Sequence, residues 1–398
     1  MIKTNQLKRP QLKVKSFMFF LLIPVILFSF SSLSCSQDSI FFYISNEPEP
    51  QTPLIRGTPT NMVLANNELF VGNRMGNSIF RYRNVGGRTE WSAIPVPGGG
   101  ALGDIATDDR NIYALIFPNG DPLRSSVIRR FIPATNTWGP VVTMQMYSIQ
   151  SIFGVNGAIF AGAMSLTDHE DFAILRFNHH ANILSSLKSN TSLLTGAITD
   201  AGGNVFLATA GSGIFRYNHG FIETSPVTGT ANGNIAGLIG VGNSVVAVSS
   251  DGTIFFRTMA GTFETFNAGV SFTGAMGLWG HRANQWRPSL LLLGIRGRGA
   301  SRNQGYREMV LDVSGNPTLT LRIPGDADVS SVGSRPRYSA SIGQLPVEAI
   351  IQLPDISRGG PLDFSPFLSD PEWQPPIFAA TSRSGLWSYR DGSWNAEE

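Results

Sequence analysis

The chain is poor in cysteine, in charge and in long apolar runs. Of 398 residues one is Cys, five are His and only 15% are charged. A single Cys cannot pair within the chain, and a free thiol in an exported protein invites oxidation, so its position carries information. Low charge together with 43 Gly and 24 Pro excludes a disordered polyampholyte and a coiled coil, which need far more charge and far less glycine. There is no basic excess either. The formal charge is +2, but five of the 30 Lys and Arg (Lys3, Lys8, Arg9, Lys13 and Lys15) precede an apolar run, leaving 25 against 28 Asp and Glu and a body at −3. A nucleic-acid partner requires a basic face that displaces counterions from phosphates, so that class is set aside. With 42% hydrophobic residues, what is present is the composition of a turn-rich β protein.

The longest uncharged apolar stretch, residues 17–30, has 14 residues and is interrupted by Pro24. Crossing a bilayer core takes roughly 20 apolar residues, so this stretch reads as the core of an export signal. The run Leu290–Leu293 is far too short to span. Cys35 follows Ser31-Ser32-Leu33-Ser34, where a signal peptide would end. The segment resembles a bacterial lipoprotein signal, in which a small residue, here Ser34, precedes a cysteine that becomes the lipidated first residue. The leucine usual upstream in that motif is Ser32 here, with Leu33 one place later, a relaxed form such as spirochaetes tolerate. The plainer alternative is an ordinary cleaved signal with an incidental cysteine. The resemblance implies a signal peptide over 1–34 and a lipidated Cys35. A proline-bearing tether over 35–58, with Glu47-Pro48-Glu49-Pro50, would follow. Several acyl chains make a stable anchor. The expected location is the cell envelope, on the extracytoplasmic side of a bacterial membrane, inner or outer. Ser36 is not the Asp associated with inner-membrane retention in enteric bacteria.

From residue 59 onward one unit recurs: an apolar β run, a turn, and a second run ending in Arg or an aromatic. Val205–Thr209 with Gly213–Tyr217, and Ile377–Thr381 with Gly385–Tyr389, are the clearest copies. First members begin at 69, 112, 159, 205, 245, 291 and 377, at intervals of 43, 47, 46, 40, 46 and 86. The last interval holds either a degraded eighth copy or an insertion. An insertion near 332–376 is preferred, because residues 355–376 are rich in Pro, Gly and Ser and lack a β pair. Trailing aromatics (Trp91, Trp138, Phe221, Phe263, Trp394) and leading runs such as Gly196–Asp200 make four short strands per unit. This period and strand count predict an all-β, seven-bladed β-propeller over 59–398, built from four-stranded blades. A sandwich or barrel array is the alternative. Paired apolar residues are expected between blades, and Ala and Gly near the central channel. The Gly-[Ile/Leu]-[Phe/Trp]-x-Tyr element, Gly213–Tyr217 and Gly385–Tyr389, resembles the repeats of sensor-type propellers attached to two-component regulators. Such a likeness speaks to fold more than to function.

Candidate chemistry is sparse. Asp168-His169-Glu170-Asp171 is the densest group of metal-ligand types, but adjacent residues on a hairpin point to alternate faces, so a solvated turn is expected and no metal or cofactor. Ser249-Ser250-Asp251-Gly252-Thr253 resembles part of the Asp-box turn of some propellers, where it closes a hairpin. Pro97-Gly98-Gly99-Gly100 lacks the lysine of a phosphate loop and reads as an interblade turn. The five histidines, His169, His179, His180, His219 and His281, fall in or near turns, and no Ser/His/Asp set is recognisable. Arg296, Arg298, Arg302 and Arg307 flank a glycine-rich loop and offer guanidinium forks to an anionic glycan, a headgroup or an acidic protein; a solvated hairpin is the plainer reading. The expectation is therefore a membrane-anchored module that binds or scaffolds an envelope protein or glycan, and not an enzyme. An enzyme at the channel mouth, the competing class, would cluster carboxylates or histidines at one end of the channel. A ligand sensor would need a pocketed channel and a signalling partner.

Overall fold

A computed structural model describes residues 55–66, 68–85, 88–178, 183–200, 202–241, 244–258, 261–280, 288–296, 305–312, 320–322, 346–353, 377–382, 385–390 and 393–397. Cys35, Arg298, Arg302, His179, His180 and His281 lie outside these residues. The described residues contain strands and turns and no helix.

Seven four-stranded antiparallel sheets follow one another along the chain, each ordered as its strands occur in sequence. Blade 1 is β1 (Pro59–Ala65), β2 (Glu68–Asn73), β3 (Ser78–Val85) and β4 (Arg88–Pro95); blade 2 is β5 (Ala101–Thr107), β6 (Ile112–Phe117), β7 (Val127–Ile132) and β8 (Thr137–Thr143). Blade 3 is β9 (Tyr147–Val155), β10 (Ala158–Ser165), β11 (Phe172–Asn178) and β12 (Ile183–Thr191); blade 4 is β13 (Leu194–Thr199), β14 (Val205–Thr209), β15 (Gly213–Asn218) and β16 (Phe221–Ile222). Blade 5 is β17 (Ile235–Val241), β18 (Ser244–Ser249), β19 (Thr253–Arg257) and β20 (Phe263–Asn267). Blade 6 is β21 (Phe272–Gly280), β22 (Pro288–Ile295), β23 (Gly305–Asp312) and β24 (Thr320–Arg322), and blade 7 is β25 (Val347–Gln352), β26 (Ile377–Thr381), β27 (Gly385–Arg390) and β28 (Ser393–Ala396).

The seven repeat starts predicted from sequence fall within or beside the second strands β2, β6, β10, β14, β18, β22 and β26. The stretch near 332–376, expected as one insertion, carries β25, the first strand of blade 7. Its six residues, Val-Glu-Ala-Ile-Ile-Gln, sit between stretches rich in Pro, Gly and Ser, and their β pattern is too short to stand out.

First strands of neighbouring blades contact one another all the way round, β1 to β5 and on to β25, which meets β1 again. The first strands therefore line the central channel, and the ring is closed. Second strands such as β2, β6 and β18 are buried along their whole length. Alternate residues of such a strand face opposite sides of the sheet, so both sides must be covered by another blade. The core is accordingly divided into seven layers, one per pair of consecutive blades. Phe70 and Ile79 of blade 1 pack with Ile105, Ile112 and Phe131 of blade 2, Phe206 and Ile214 of blade 4 with Val245 and Phe255 of blade 5, and Phe378 and Leu386 of blade 7 with Leu69 and Val71 of blade 1. Each such side chain taken from water stabilises the fold by roughly 1.5–3 kcal/mol.

Antiparallel order fixes two faces. The face where each first strand begins carries the blade-to-blade links and the turns between second and third strands, and is called upper here. The lower face carries the remaining hairpins. The Gly98-Gly99-Gly100 run, with φ of 95°, 69° and 93°, is the upper-face link from β4 to β5, a left-handed path that residues with a Cβ rarely follow.

Candidate functional site

Each of the seven first strands breaks register with its second strand near its upper end. The shifts fall between Pro59 and Met62, Leu102 and Asp104, Ile149 and Ser151, Leu194 and Gly196, Ile235 and Gly237, Phe272 and Met276, and Val347 and Ala349. Bulges re-aim side chains and end local pairing, and here they recur at the channel mouth in every blade.

Most polar side chains at this level staple one first strand to the next. Asn61 Nδ2 donates to the Ile105 carbonyl (3.2 Å), Ser151 Oγ to Leu194 (2.6 Å), Thr195 Oγ1 to Ile235 (2.7 Å) and Thr273 Oγ1 to Val347 (2.6 Å). Two acids stand out from this pattern. Asp104 Oδ1 accepts the Ile105 N–H at 2.8 Å and a hydrogen bond from Asn61, yet burial in the channel pushes its carboxyl up to about 7, against the pull of the nearby Arg74 cation. Glu348, at the bulge of β25, is also raised by burial, while Arg296 and Arg74 draw it down. Arg74, in the upper turn of blade 1, anchors to the Gly103 carbonyl at 3.2 Å. Blade 1 lies between blades 7 and 2, so one guanidinium acts on both acids.

The mouth of the channel therefore holds Asp104, Glu348, Arg74, Arg296 and Asn61, a mixed-charge group with two carboxyls that resist ionisation. Such a set can bind hydroxyl or amine donors through its acids and an anionic group through its arginines. Sequence reading named only Arg296 among these. Asp104 was visible as the lone charge in Ala-Leu-Gly-Asp-Ile-Ala-Thr, and Glu348 would have emerged by aligning β25 with the Thr195 and Thr273 positions.

The other sequence candidates fall elsewhere. Arg307 Nη1 donates to the Ala268 carbonyl at 2.5 Å, which ties β23 to the link between blades 5 and 6, whereas Arg296 is exposed at the end of β22. Asp168-His169-Glu170-Asp171 forms an exposed upper turn of blade 3. Among the described residues, no group of three or more His, Cys, Asp or Glu is placed to hold a metal ion. Ser249 to Thr253 closes the β18–β19 hairpin: Ser249 Oγ donates to Asp251, and the Thr253 N–H donates to Ser249 Oγ and Asp251 Oδ1, both at 3.0 Å. The hydroxyl bond from Ser249 holds the Asp251 carboxyl below its ordinary range. His219 lies in a lower turn with φ of 48°.

The two faces differ in apolar exposure. Met75, Leu123 and Met146 are 77%, 55% and 66% exposed, all in upper-face loops. On the lower face, Phe221 is the large apolar side chain left open among the described residues. Elsewhere the lower turns are satisfied internally, as where Asp108 accepts from Asn111 and Tyr113, and Asp200 from Asn204 and Arg257.

No family model and no curated protein matches the sequence. Solved structures do. A chain of the crystal structure of the mitotic checkpoint complex is similar at 12% identity and a TM-score of 0.54, over 87% of this chain and 96% of that one. The WD40 β-propeller domain of Doa1 is similar at 11% identity and a TM-score of 0.50, over 86% of this chain and 97% of that domain. At this identity the likeness is one of architecture, and it agrees with the seven four-stranded sheets: the chain is a seven-bladed β-propeller.

Proposed function

We propose that the protein is an extracytoplasmic lipoprotein, anchored to a bacterial membrane through Cys35, whose propeller binds an envelope protein or glycan through its upper face and catalyses no reaction. The observation that carries the binding reading is the asymmetry of the two faces. Three of the six large hydrophobic side chains exposed among the described residues occupy upper loops, around a mixed-charge channel mouth. Apolar groups interspersed with charge on a rigid frame are the make-up of a protein-binding surface. The anchor rests on the signal-like segment and the position of Cys35.

The test is in-cell crosslinking of the full chain beside a Cys35→Ala version, with mass spectrometry of what is trapped. The reading expects one envelope component recovered reproducibly from the anchored chain, and a Cys35→Ala chain that leaves the membrane fraction. Recovery of nothing from either chain overturns it.

One observation favours a second reading, a small-ligand or glycan activity at the channel mouth: Asp104 and Glu348 both resist ionisation and both sit within the field of Arg74. Carboxyls raised above their ordinary range suit proton transfer. On that reading, Glu348→Gln abolishes turnover of an envelope glycan while the crosslinked partner, if any, is unchanged.

A further inference from the structure

The upper turns between second and third strands are three residues long in blades 4, 5 and 7, but nine in blade 2 (118–126) and six in blade 3 (166–171). The blade 3 loop is hydrogen-bonded to the β8–β9 link (144–146), and the blade 2 loop to β9, which the link enters. The Leu166 N–H donates to the Met146 carbonyl at 3.0 Å. Pro122 O accepts from Ser148 Oγ at 2.6 Å and from Gln150 Nε2 at 2.7 Å. The Ile149 N–H donates to Ser126 Oγ. The backbone beneath the patch is thus fixed, while Leu123 and Met146 remain more than half exposed on top of it.

Charge on the same loops is one-sided. Asp121, Asp168, Glu170 and Asp171 face Arg124 as the one Lys or Arg on the three loops, and Arg124 is paired with Asp121 at 3.3 Å. Asp168 Oδ1 accepts the Glu170 N–H at 3.0 Å, and neither acid forms an ion pair among the described residues.

We propose that Leu123, Met146 and the Asp168–Glu170 turn form a preorganised docking surface for a basic, amphipathic segment of a partner protein. Its apolar side chains would seat on Leu123 and Met146, and its Lys or Arg side chains would lie against Asp168 and Glu170. Charge complementarity selects this occupant: an acidic or phosphorylated segment would be repelled by the same turn. Methionine adapts its shape to different apolar side chains at little strain, and a backbone already held loses little freedom on binding. The proposal rests on the binding reading above and gives that reading a surface and a partner chemistry.

The test selects random 15-residue peptides displayed on phage against the full chain, then measures affinity for variants. The expected winners are cationic peptides with interspersed apolar residues. Their affinity falls about tenfold or more with Met146→Ser plus Leu123→Ser, and severalfold with Asp168→Asn plus Glu170→Gln. It also falls as salt rises from about 0.05 to 0.5 M, and Phe221→Ser on the opposite face leaves it unchanged. Winners that are acidic or uncharged overturn the proposal, as do cationic peptides indifferent to the loop variants. Binding lost with Glu348→Gln and kept by the loop variants also overturns it, while leaving the broader binding reading intact. A chain that selects no peptide overturns the docking surface alone, since crosslinking in cells tests the broader reading independently.

Discussion

At the scale of single residues, two acids sit in contrasting surroundings. Asp104 sits in the channel with its carboxyl raised from 3.8 to about 7, because burial costs the charged form more than Arg74 and Asn61 return. A carboxyl raised in the folded state lends stability that is fully present below its unfolded value and is lost as pH climbs through the folded one. The protein therefore loses stability through Asp104 between about pH 4 and 7, by at most about 4 kcal/mol. Asp104→Asn removes this penalty and keeps an acceptor for the Ile105 N–H. Thermal melts should show a higher Tm than wild type at pH 8 and an equal one at pH 4; an unchanged Tm at both would contradict the burial argument. Asp200, by contrast, is buried against a cation: its Oδ2 meets Arg257 Nη1 at 2.9 Å, with side-chain exposures of 3% and 16%. The pair joins the lower turn of blade 4 to blade 5. Asp200→Ala strands a buried guanidinium and should cost about 3 kcal/mol or more in guanidinium unfolding. The double variant Asp200→Ala with Arg257→Met should recover much of that loss, a coupling absent if the pair is incidental.

At the scale of the element, the four-stranded blade was legible because its second strand is a short, mostly apolar run bounded by turn residues. A cross-strand pair repeats with it: Phe70 faces Arg81, Tyr113 faces Arg130, Phe160 faces Arg176 and Phe206 faces Arg216. The guanidinium lies over the ring face, that of Arg81 over Phe70 at 5.8 Å and that of Arg216 over Phe206 at 5.9 Å from the ring centroid. The first strand was legible as a small leading run in blades such as the fourth (Gly196–Asp200), but its register escaped the sequence. β17 (Ile-Ala-Gly-Leu-Ile-Gly-Val) reads as a weak run, and its bulge has no sequence mark, because register depends on the partner strand. The site acids Asp104 and Glu348 lie on such strands and were missed for that reason. Trailing aromatics also diverge: Phe263 and Trp394 are buried, whereas Phe221, on a two-residue strand with little sheet above it, is exposed. First strands approach closely, and Gly237 and Gly274 permit it. A Cβ on Gly237 would overlap the Gly274 carbonyl, and one on Gly274, at φ of 99°, the Ala236 carbonyl. Gly237→Ala should destabilise by about 1–3 kcal/mol as overpacking, read as a lower denaturation midpoint; a neutral result would mean that the ring can widen there.

At the scale of the whole molecule, stability depends on closure, since every blade is covered only by its neighbours. The seam joins the two ends of the described chain. Gly385 and Leu386 N–H groups donate to the carbonyls of Gly57 (3.0 Å) and Ile55 (3.2 Å), and Trp91 Nε1 donates to Glu397 Oε2 at 2.9 Å. Trp394 fills the layer between blades 6 and 7, stacks near Tyr306 and Tyr389 and donates to the Tyr306 hydroxyl at 3.2 Å. Trp394→Ala should therefore cost about 3–5 kcal/mol and loosen the seam, with Gly385 and Leu386 amides exchanging hydrogen faster; protection equal to wild type would place closure elsewhere. The disc so closed is a rigid carrier of loops, and what it carries was only partly visible from sequence. The Asp168–Asp171 turn was marked as a solvated loop, but Leu123 and Met146 lie on other segments of the chain, a blade 2 loop and the β8–β9 link, and share its face only through the antiparallel order of the strands.

Site-specific photocrosslinking in cells that express the full chain tests the central claim most directly, with a photoreactive side chain at position 146 on the upper face and, in a second chain, at position 221 on the lower. The account predicts one discrete protein adduct from position 146 and none from position 221. Adducts from both faces alike, or from neither, would contradict an upper-face binding module and turn attention to chemistry at Asp104 and Glu348.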